Sequence, residues 1–428
     1  MNLAIILIYS FFSIFIILYS IVQLSLVYSY LKNRKRIAKD LEKFSDSKYF
    51  PHVTIQLPVY NELYVIERLI DSVANFNYPK DKLEIQVLDD SSDETVQIIA
   101  DRVGYWKEKG LDIEQIIRPE RVGFKAGALD YGMKICKGEF IAIFDADFVP
   151  EEDFLLKTIP YFQNPEIGVV QTRWEHLNRE YSLLTRLQAF ALDAHFSVEQ
   201  GGRNFAGHFI NFNGTAGVWR KIAIEEGGGW KADTLTEDLD LSYRSQLKGW
   251  KFIFKEEIGS PAELPAEMNA LKAQQFRWTK GAAECTVKNL GKVLKHDKYN
   301  FWTKINAVFH LMNSFLFIAI FSIAMLSLPL FIIKQHHPEL QTFFNFATIS
   351  LFSFAVIGVL YFTSFSKEYE NKGLAFLHFM YYFPLFISFS MGLSFHNSIA
   401  VLEGYAGKKS PFVRTPKFSL TKKTGDWK

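Results

Sequence analysis

The chain has 428 residues, enough for two or three domains. A formal net charge of +2 gives no case for a nucleic-acid partner, and two cysteines, Cys136 and Cys285, fit neither a disulfide framework nor a metal motif. The bulk of the protein is therefore expected to face a reducing compartment.

The first segment, Met1 to Leu31, carries no charged residue and is followed by Lys32, Arg34, Lys35 and Arg36. It is long enough to cross a bilayer, and a signal peptide would have a basic start and a shorter apolar core. A retained membrane helix over 1–31 is predicted, its basic flank staying cytoplasmic.

A soluble-looking region follows over about 50–300. His52–Leu57 reads as a strand ending in Pro58-Val-Tyr-Asn-Glu62, with a helix to about Phe76. Glu84–Leu88 reads as a second strand ending in Asp89-Asp90, and Asp93–Lys107 as a helix. Ile113–Ile117 is a third strand, followed by a glycine-containing turn and a helix over Ala126–Cys136. The apolar run Phe140–Phe144 has the pattern of a strand buried on both faces, and it ends in Asp145-Ala-Asp147. Alternating strands and helices imply a mostly parallel α/β sheet, in which ligands bind at the carboxyl ends of strands. Three such ends carry acids: Glu62, Asp89 with Asp90, and Asp145 with Asp147.

Each pattern suits a chemistry and has a plainer alternative. Asp145 and Asp147, at alternate positions of an extended chain, point the same way and offer hard oxygen ligands to a divalent cation carrying phosphates; the alternative is an Asp-rich turn. Asp89 and Asp90 can accept from a nucleoside; the alternative is a cap for the helix that follows. Lys125, at a glycine-flanked helix start, suits a diphosphate; the alternative is a solvated lysine. Further on, Val169–Trp174 reads as a strand, Asn213–Gly217 as a run that lets a ligand approach the backbone, and Trp219–Trp230 as a turn region. Thr236-Glu237-Asp238 precedes a helix over Leu239–Lys248, with Thr236 placed as its N-cap and Asp238 and Asp240 favouring its positive end. On an amphipathic helix over about Met268–Leu290, Gln274, Arg277 and Trp278 share one face, fit for a diphosphate and a stacked sugar or for anchoring at a membrane interface.

Ile305–Ile333, Leu340–Ser366 and Gly373–Leu402 are three further uncharged stretches, and 403–428 is a basic tail. If 373–402 crossed fully, the basic tail would lie outside, against the positive-inside tendency. Pro384 and Gly392 interrupt that stretch, so a broken, re-entrant or interfacial segment is expected, with a plain fourth crossing as the alternative. A multispanning transporter or channel would not need an acid-lined α/β domain, nor would a non-enzymatic scaffold.

Pro58–Glu62, Asp89-Asp90, Lys125-Ala-Gly127, Asp145-Ala-Asp147, Thr236-Glu-Asp238 and Gln274-x-x-Arg277-Trp278 follow one another in the order seen in processive family 2 glycosyltransferases, and the chain resembles the cellulose synthase-like members. The resemblance implies a GT-A catalytic domain plus transmembrane helices, with Tyr60, Glu62 and Asp89 on the nucleoside and Lys125 on the diphosphate. It implies Mg²⁺ or Mn²⁺ on Asp145 and Asp147, Asp238 as general base beside Glu237, and Gln274, Arg277 and Trp278 lining the donor and acceptor site. Phe412, Thr415 and Lys417 match the family's gating-loop pattern, which Arg414 departs from. The expected reaction moves a sugar from a nucleotide sugar onto a β-glycan with inversion, UDP-glucose being the first donor expected and GDP-mannose the second. Single-sugar transfer to a lipid acceptor is the alternative. The expected setting is a bacterial inner membrane, or a Golgi membrane in a eukaryote, with the catalytic domain cytoplasmic.

Overall fold

The computed structural model describes residues 2–36, 48–348, 350–411 and 413–420. In chain order its main elements are α1 (Asn2–Asn33), β1 (Val53–Val59), α2 (Ile66–Ala74), β2 (Leu83–Asp89), α3 (Thr95–Glu108), β3 (Asp112–Ile117), α4 (Phe124–Ile135), β4 (Phe140–Ile143), β5 (Ile167–His176), α5 (Leu183–Ala194), β6 (Gly217–Arg220), α6 (Glu237–Leu247), β7 (Lys251–Ala262), α7 (Met268–Lys295), α8 (Phe301–Leu311), α9 (Phe315–His336), α10 (Ser350–Phe365) and α11 (Lys372–Tyr405). They form two units. One takes residues 32–189, 209–271 and 412–428, the other 1–31, 190–208 and 272–411.

The first unit is built on a seven-stranded sheet in the order β3-β2-β1-β4-β6-β5-β7. β1, β2, β3 and β4 pair in parallel, as do β5 and β7, while β6 runs against both of its neighbours. The apolar runs explain the layers. β4 is buried at all four positions, and β1 at six of seven. α2 turns Ile66, Leu69, Ile70 and Val73 inward, the spacing of one helical face. Each fully buried aliphatic side chain contributes about 1.5–3 kcal/mol over leaving it in water.

β7 was not expected from the sequence. Its charges at Lys255, Glu256 and Glu257 hide the strand pattern, yet it pairs along β5 with two register irregularities. Lys255 is buried beside Glu257 at 2.6 Å, its ammonium over the Tyr161 ring. The stretch expected to be a turn over 219–230 instead completes β6 and runs into a helix, Lys221–Glu226.

The second unit is helical. Among the described residues three helices are long and apolar enough to cross a membrane: Leu3–Asn33, Phe301–His336 and Lys372–Tyr405. α11 corrects the expectation of a broken segment, since it runs unbroken through Pro384 and Gly392. A proline removes one ladder hydrogen bond, whereas breaking a helix in apolar surroundings exposes several backbone groups. The stretch 340–366 is by contrast divided between Gln341–Ala347 and α10, whose 16 residues span roughly 24 Å, short of a bilayer core.

Candidate active site

Because β2, β1 and β4 are adjacent, the three acid-bearing turns come out side by side at the carboxyl edge of the sheet. The strand order reverses direction between β1 and β4, the position where open α/β sheets bind ligands.

The turns after β1 and β2 are clipped together. Asn61 holds a left-handed φ of 55°. Its backbone N–H donates to Ser91 Oγ at 2.9 Å and its Oδ1 accepts from the Ser92 N–H at 2.9 Å. Asp89 is buried and already engaged, Oδ1 by the Ser91 N–H and Oδ2 by Gln115 Nε2, each at 2.8 Å. Asp90 is gripped by Arg118, Nε and Nη2 each lying 2.6 Å from one carboxylate oxygen. Both carboxylates are thus engaged within the protein in this structure. The Tyr60 ring carries the guanidinium of Arg121 on its face.

Lys125 and Asp238 converge on Gly214, and Lys125 ties Asp145 to them. Gly123 turns left-handed before α4 (φ 75°), and Gly127 has no room for a side chain, since a Cβ there would lie 2.0 Å from Val122 O. The turn they make directs the Lys125 ammonium onto Asp145 Oδ1 and onto Gly214 O at 2.9 Å. Asp145 is fixed through its N–H, which donates to Thr215 Oγ1 at 2.8 Å. A Cβ on Gly214 would stand 3.1 Å from Asp238 Oδ2 and 3.6 Å from Lys125 Nζ. Burial alone would lower the Lys125 pKa, but the carboxylates of Asp145, Glu237 and Asp238 outweigh it and hold the ammonium charged. Burial, reinforced by the neighbouring Glu237 carboxylate, lifts Asp238 to about 7, against the opposing Leu239 N–H and Lys125. Thr236 occupies the N-cap of α6 without a side-chain capping hydrogen bond; the Asp238 carboxylate accepts from Leu239 N–H at 2.8 Å.

Asp147 faces a different partner. β4 ends at Ile143, and Asp145 to Phe148 form a turn closed by a 3.1 Å bond from the Phe148 N–H to Asp145 O. Asp145 and Asp147 therefore lie in a turn and not, as expected, at alternate positions of an extended chain. Asp147 Oδ2 lies 2.6 Å from Lys417 Nζ, on the tail. Glu263 anchors that tail, accepting from the Phe418 and Leu420 N–H groups at 2.9 and 3.1 Å. Arg414 Nη1 lies 3.6 Å from Glu62 and bonds Tyr60 O at 3.3 Å. Glu62 is therefore turned toward the tail; burial raises its carboxyl to about 8 despite Arg414. Thr415 is buried with its hydroxyl unpartnered, and Phe412 lies outside the described residues.

Gln274, Arg277 and Trp278 sit half-buried on one face of α7, in the helical unit. Two residues further along that helix, Lys280 is fully buried and pairs with Glu403 at 3.2 Å. The helical unit also holds a buried ionic group that sequence reading missed, in which Glu199 meets His195 at 2.9 Å and Arg203 at 3.8 Å.

Asp145 and Asp147 fit a divalent cation by donor type. Both offer hard oxygens, and both face an ammonium here, so the place is built around positive charge. Among the described residues no three His, Cys, Asp or Glu side chains converge on one point. A cation held by these two carboxylates would fill its shell from phosphate oxygens and water, as Mg²⁺ commonly does.

Residues 54–227 match the model of glycosyl transferase family 2. The chain is 45% identical over 274 residues to the protein named "Probable glucomannan 4-beta-mannosyltransferase 4" from Oryza sativa subsp. japonica, covering 63% of this chain and 49% of that one. It is 43% identical over 268 residues to glucomannan 4-beta-mannosyltransferase 2 of Arabidopsis thaliana, covering 61% and 50%. The chain carries a family 2 glycosyltransferase domain of the cellulose synthase-like kind. It spans about half the length of these curated relatives. The fold is GT-A: the mannosyltransferase PcManGT from Pyrobaculum calidifontis, solved with GDP-Man and Mn²⁺, superposes with a TM-score of 0.58 over 91% of this chain and 100% of that one at 17% identity. Asn61, Arg118 and Arg121, within the matched residues, and Glu263, beyond them, escaped sequence reading. The only sequence trace of the arginine pair is their spacing of three in the loop before Lys125.

Proposed function

We propose that the protein transfers mannose from GDP-mannose onto a growing β-glycan at a membrane, with inversion at the anomeric carbon. The observation that carries the chemistry is that Lys125, bonded to Asp145, meets Asp238 at Gly214. The relatives' names, glucomannan 4-beta-mannosyltransferases at 43–45% identity, support mannose over the glucose first expected.

In this reading Asp238 accepts the proton of an acceptor hydroxyl. The hydroxyl oxygen bonds to the anomeric carbon as the bond from that carbon to the diphosphate oxygen breaks. An α-linked donor gives a β-linkage, and GDP leaves. In the same reading a diphosphate oxygen accepts from the Lys125 ammonium, whose charge the surrounding carboxylates preserve. A divalent cation on Asp145 and Asp147 would supply further positive charge against the leaving group.

The experiment is transfer by membranes containing the protein, with labelled GDP-mannose, UDP-glucose and UDP-N-acetylglucosamine, with Mn²⁺, with Mg²⁺ or with chelator. Mannose in the polymer fraction is expected. A product confined to the organic phase assigns a lipid acceptor, and incorporation from UDP-glucose alone overturns the donor.

A further inference from the structure

Two arginines lie three residues apart in the loop between β3 and α4, and the fold uses them differently. Arg118 is spent on structure. Besides Asp90, it donates from Nη1 to Val122 O at 2.6 Å and from Nη2 to Phe124 O at 2.9 Å. Arg121 is not spent. Its guanidinium carbon lies 3.3 Å from the centroid of the Tyr60 ring and 5.1 Å from that of Phe124. Its Nε is buried with no hydrogen-bond partner, and the Asp90 carboxylate stands 3.8 Å from it, beyond hydrogen-bond reach. The side chain as a whole is partly exposed, at 29%, so its fork can reach a ligand, while the buried Nε is a donor left unused, which is costly to maintain for packing alone.

The face of Tyr60 that Arg121 covers belongs to the turn after β1, beside the Asp89–Asp90 turn. A flat base entering between these turns would take that ring face and leave Arg121 at its edge. What the edge offers then decides the fit. Guanine presents O6 and N7 as adjacent acceptors, and the planar fork of arginine meets both at once. Uracil has no such pair, because the N3–H separates O2 from O4. Adenine places a donor, its N6 amino group, beside N7.

We infer that Arg121 reads the guanine of the nucleotide donor, exchanging its stack on Tyr60 for the O6/N7 edge while the purine takes the freed ring face. This rests on the GDP-mannose reading above and names the residue that would enforce it.

The test is calorimetric binding of GDP, UDP and 7-deaza-GDP to the detergent-solubilised full chain in Mn²⁺, for wild type, Arg121→Ala and Arg121→Lys. The wild type is expected to bind GDP more tightly than UDP and than 7-deaza-GDP, which lacks the N7 acceptor. Arg121→Ala is expected to lose roughly 10- to 100-fold for GDP, the worth of one bidentate purine contact, and to change UDP by less than about threefold. Arg121→Lys keeps the charge without the fork and should also fail to distinguish GDP from 7-deaza-GDP. Equal weakening of GDP and UDP in Arg121→Ala would place Arg121 on the diphosphate and overturn the inference. A wild type indifferent to N7 overturns it without any variant. A wild type that prefers UDP overturns the donor itself; one that prefers GDP while Arg121→Ala keeps that preference overturns only the role of Arg121.

Discussion

The ammonium of Lys417 stands 2.6 Å from Oδ2 of Asp147, while the backbone of the two neighbouring positions that donate, Phe418 and Leu420, is tied to Glu263. The tail thus puts a cation on one of the two carboxylates suited to a metal. Two positive charges cannot share that oxygen cheaply, so tail docking and metal binding oppose each other. Lys417→Ala is expected to tighten Mn²⁺ binding in the absence of nucleotide by roughly threefold to tenfold, a shift of order 1 kcal/mol. Electron paramagnetic resonance of free Mn²⁺ reads this directly. An unchanged affinity would mean that Lys417 and the metal use separate faces of Asp147.

Asp238 makes the sharpest catalytic prediction. Held at about 7 by burial and by Glu237, it is ionised only above that pH. A general base must be ionised to act, so kcat/KM for the donor should rise tenfold per unit below about pH 7 and flatten above it. Asp238→Asn should lower turnover by 10²- to 10⁴-fold, the usual worth of a positioned base, and leave GDP binding intact. Steady-state kinetics across pH 5.5–9 check both. A variant that keeps its turnover removes the base assignment.

Glu62 predicts an effect on stability. Its carboxyl is raised to about 8 in the fold and lies near 4.3 in an unfolded chain. The native state therefore keeps a proton that the unfolded chain releases, and stability falls as pH climbs from about 4 to about 8. Glutamine keeps the shape without the ionisation. Glu62→Gln should match the wild type in Tm at pH 4.5 and exceed it at pH 8.5 by about 4 °C or more. Equal melting temperatures at pH 8.5 would show Glu62 ionised against Arg414.

The acid-bearing strand ends were legible because buried parallel strands are short apolar runs, and Asp89, Asp145 and Glu62 stand where those runs stop. What the side chains do there was less legible. Asp89 looks free in the sequence, yet Gln115, 26 residues away, occupies one of its oxygens. Asn61 clips two turns together through a positive φ that no periodicity encodes. The β7 strand was hidden because its Lys255 and Glu257 neutralise each other in place, which requires the fold to be known first. The interruption read at Pro384 was a local rule overruled by apolar surroundings.

Gly214 tests whether the convergence seen here is the reacting centre. Its φ of 79° is open to glycine and costs alanine about 1–2 kcal/mol, so Gly214→Ala should still fold. The added Cβ would stand 3.1 Å from Asp238 Oδ2, tighter than ordinary contact, and would push on the base and on Lys125 together. A displacement of a few tenths of an ångström to an ångström at a base is enough to cost turnover heavily, up to about 10²-fold. The expected outcome is a Tm within about 4 °C of wild type with kcat lowered at least roughly tenfold. Thermal unfolding and initial rates on the same preparation separate the two effects. Full turnover in a folded Gly214→Ala protein would place the reacting atoms away from Gly214, and with them the roles given to Lys125 and Asp238.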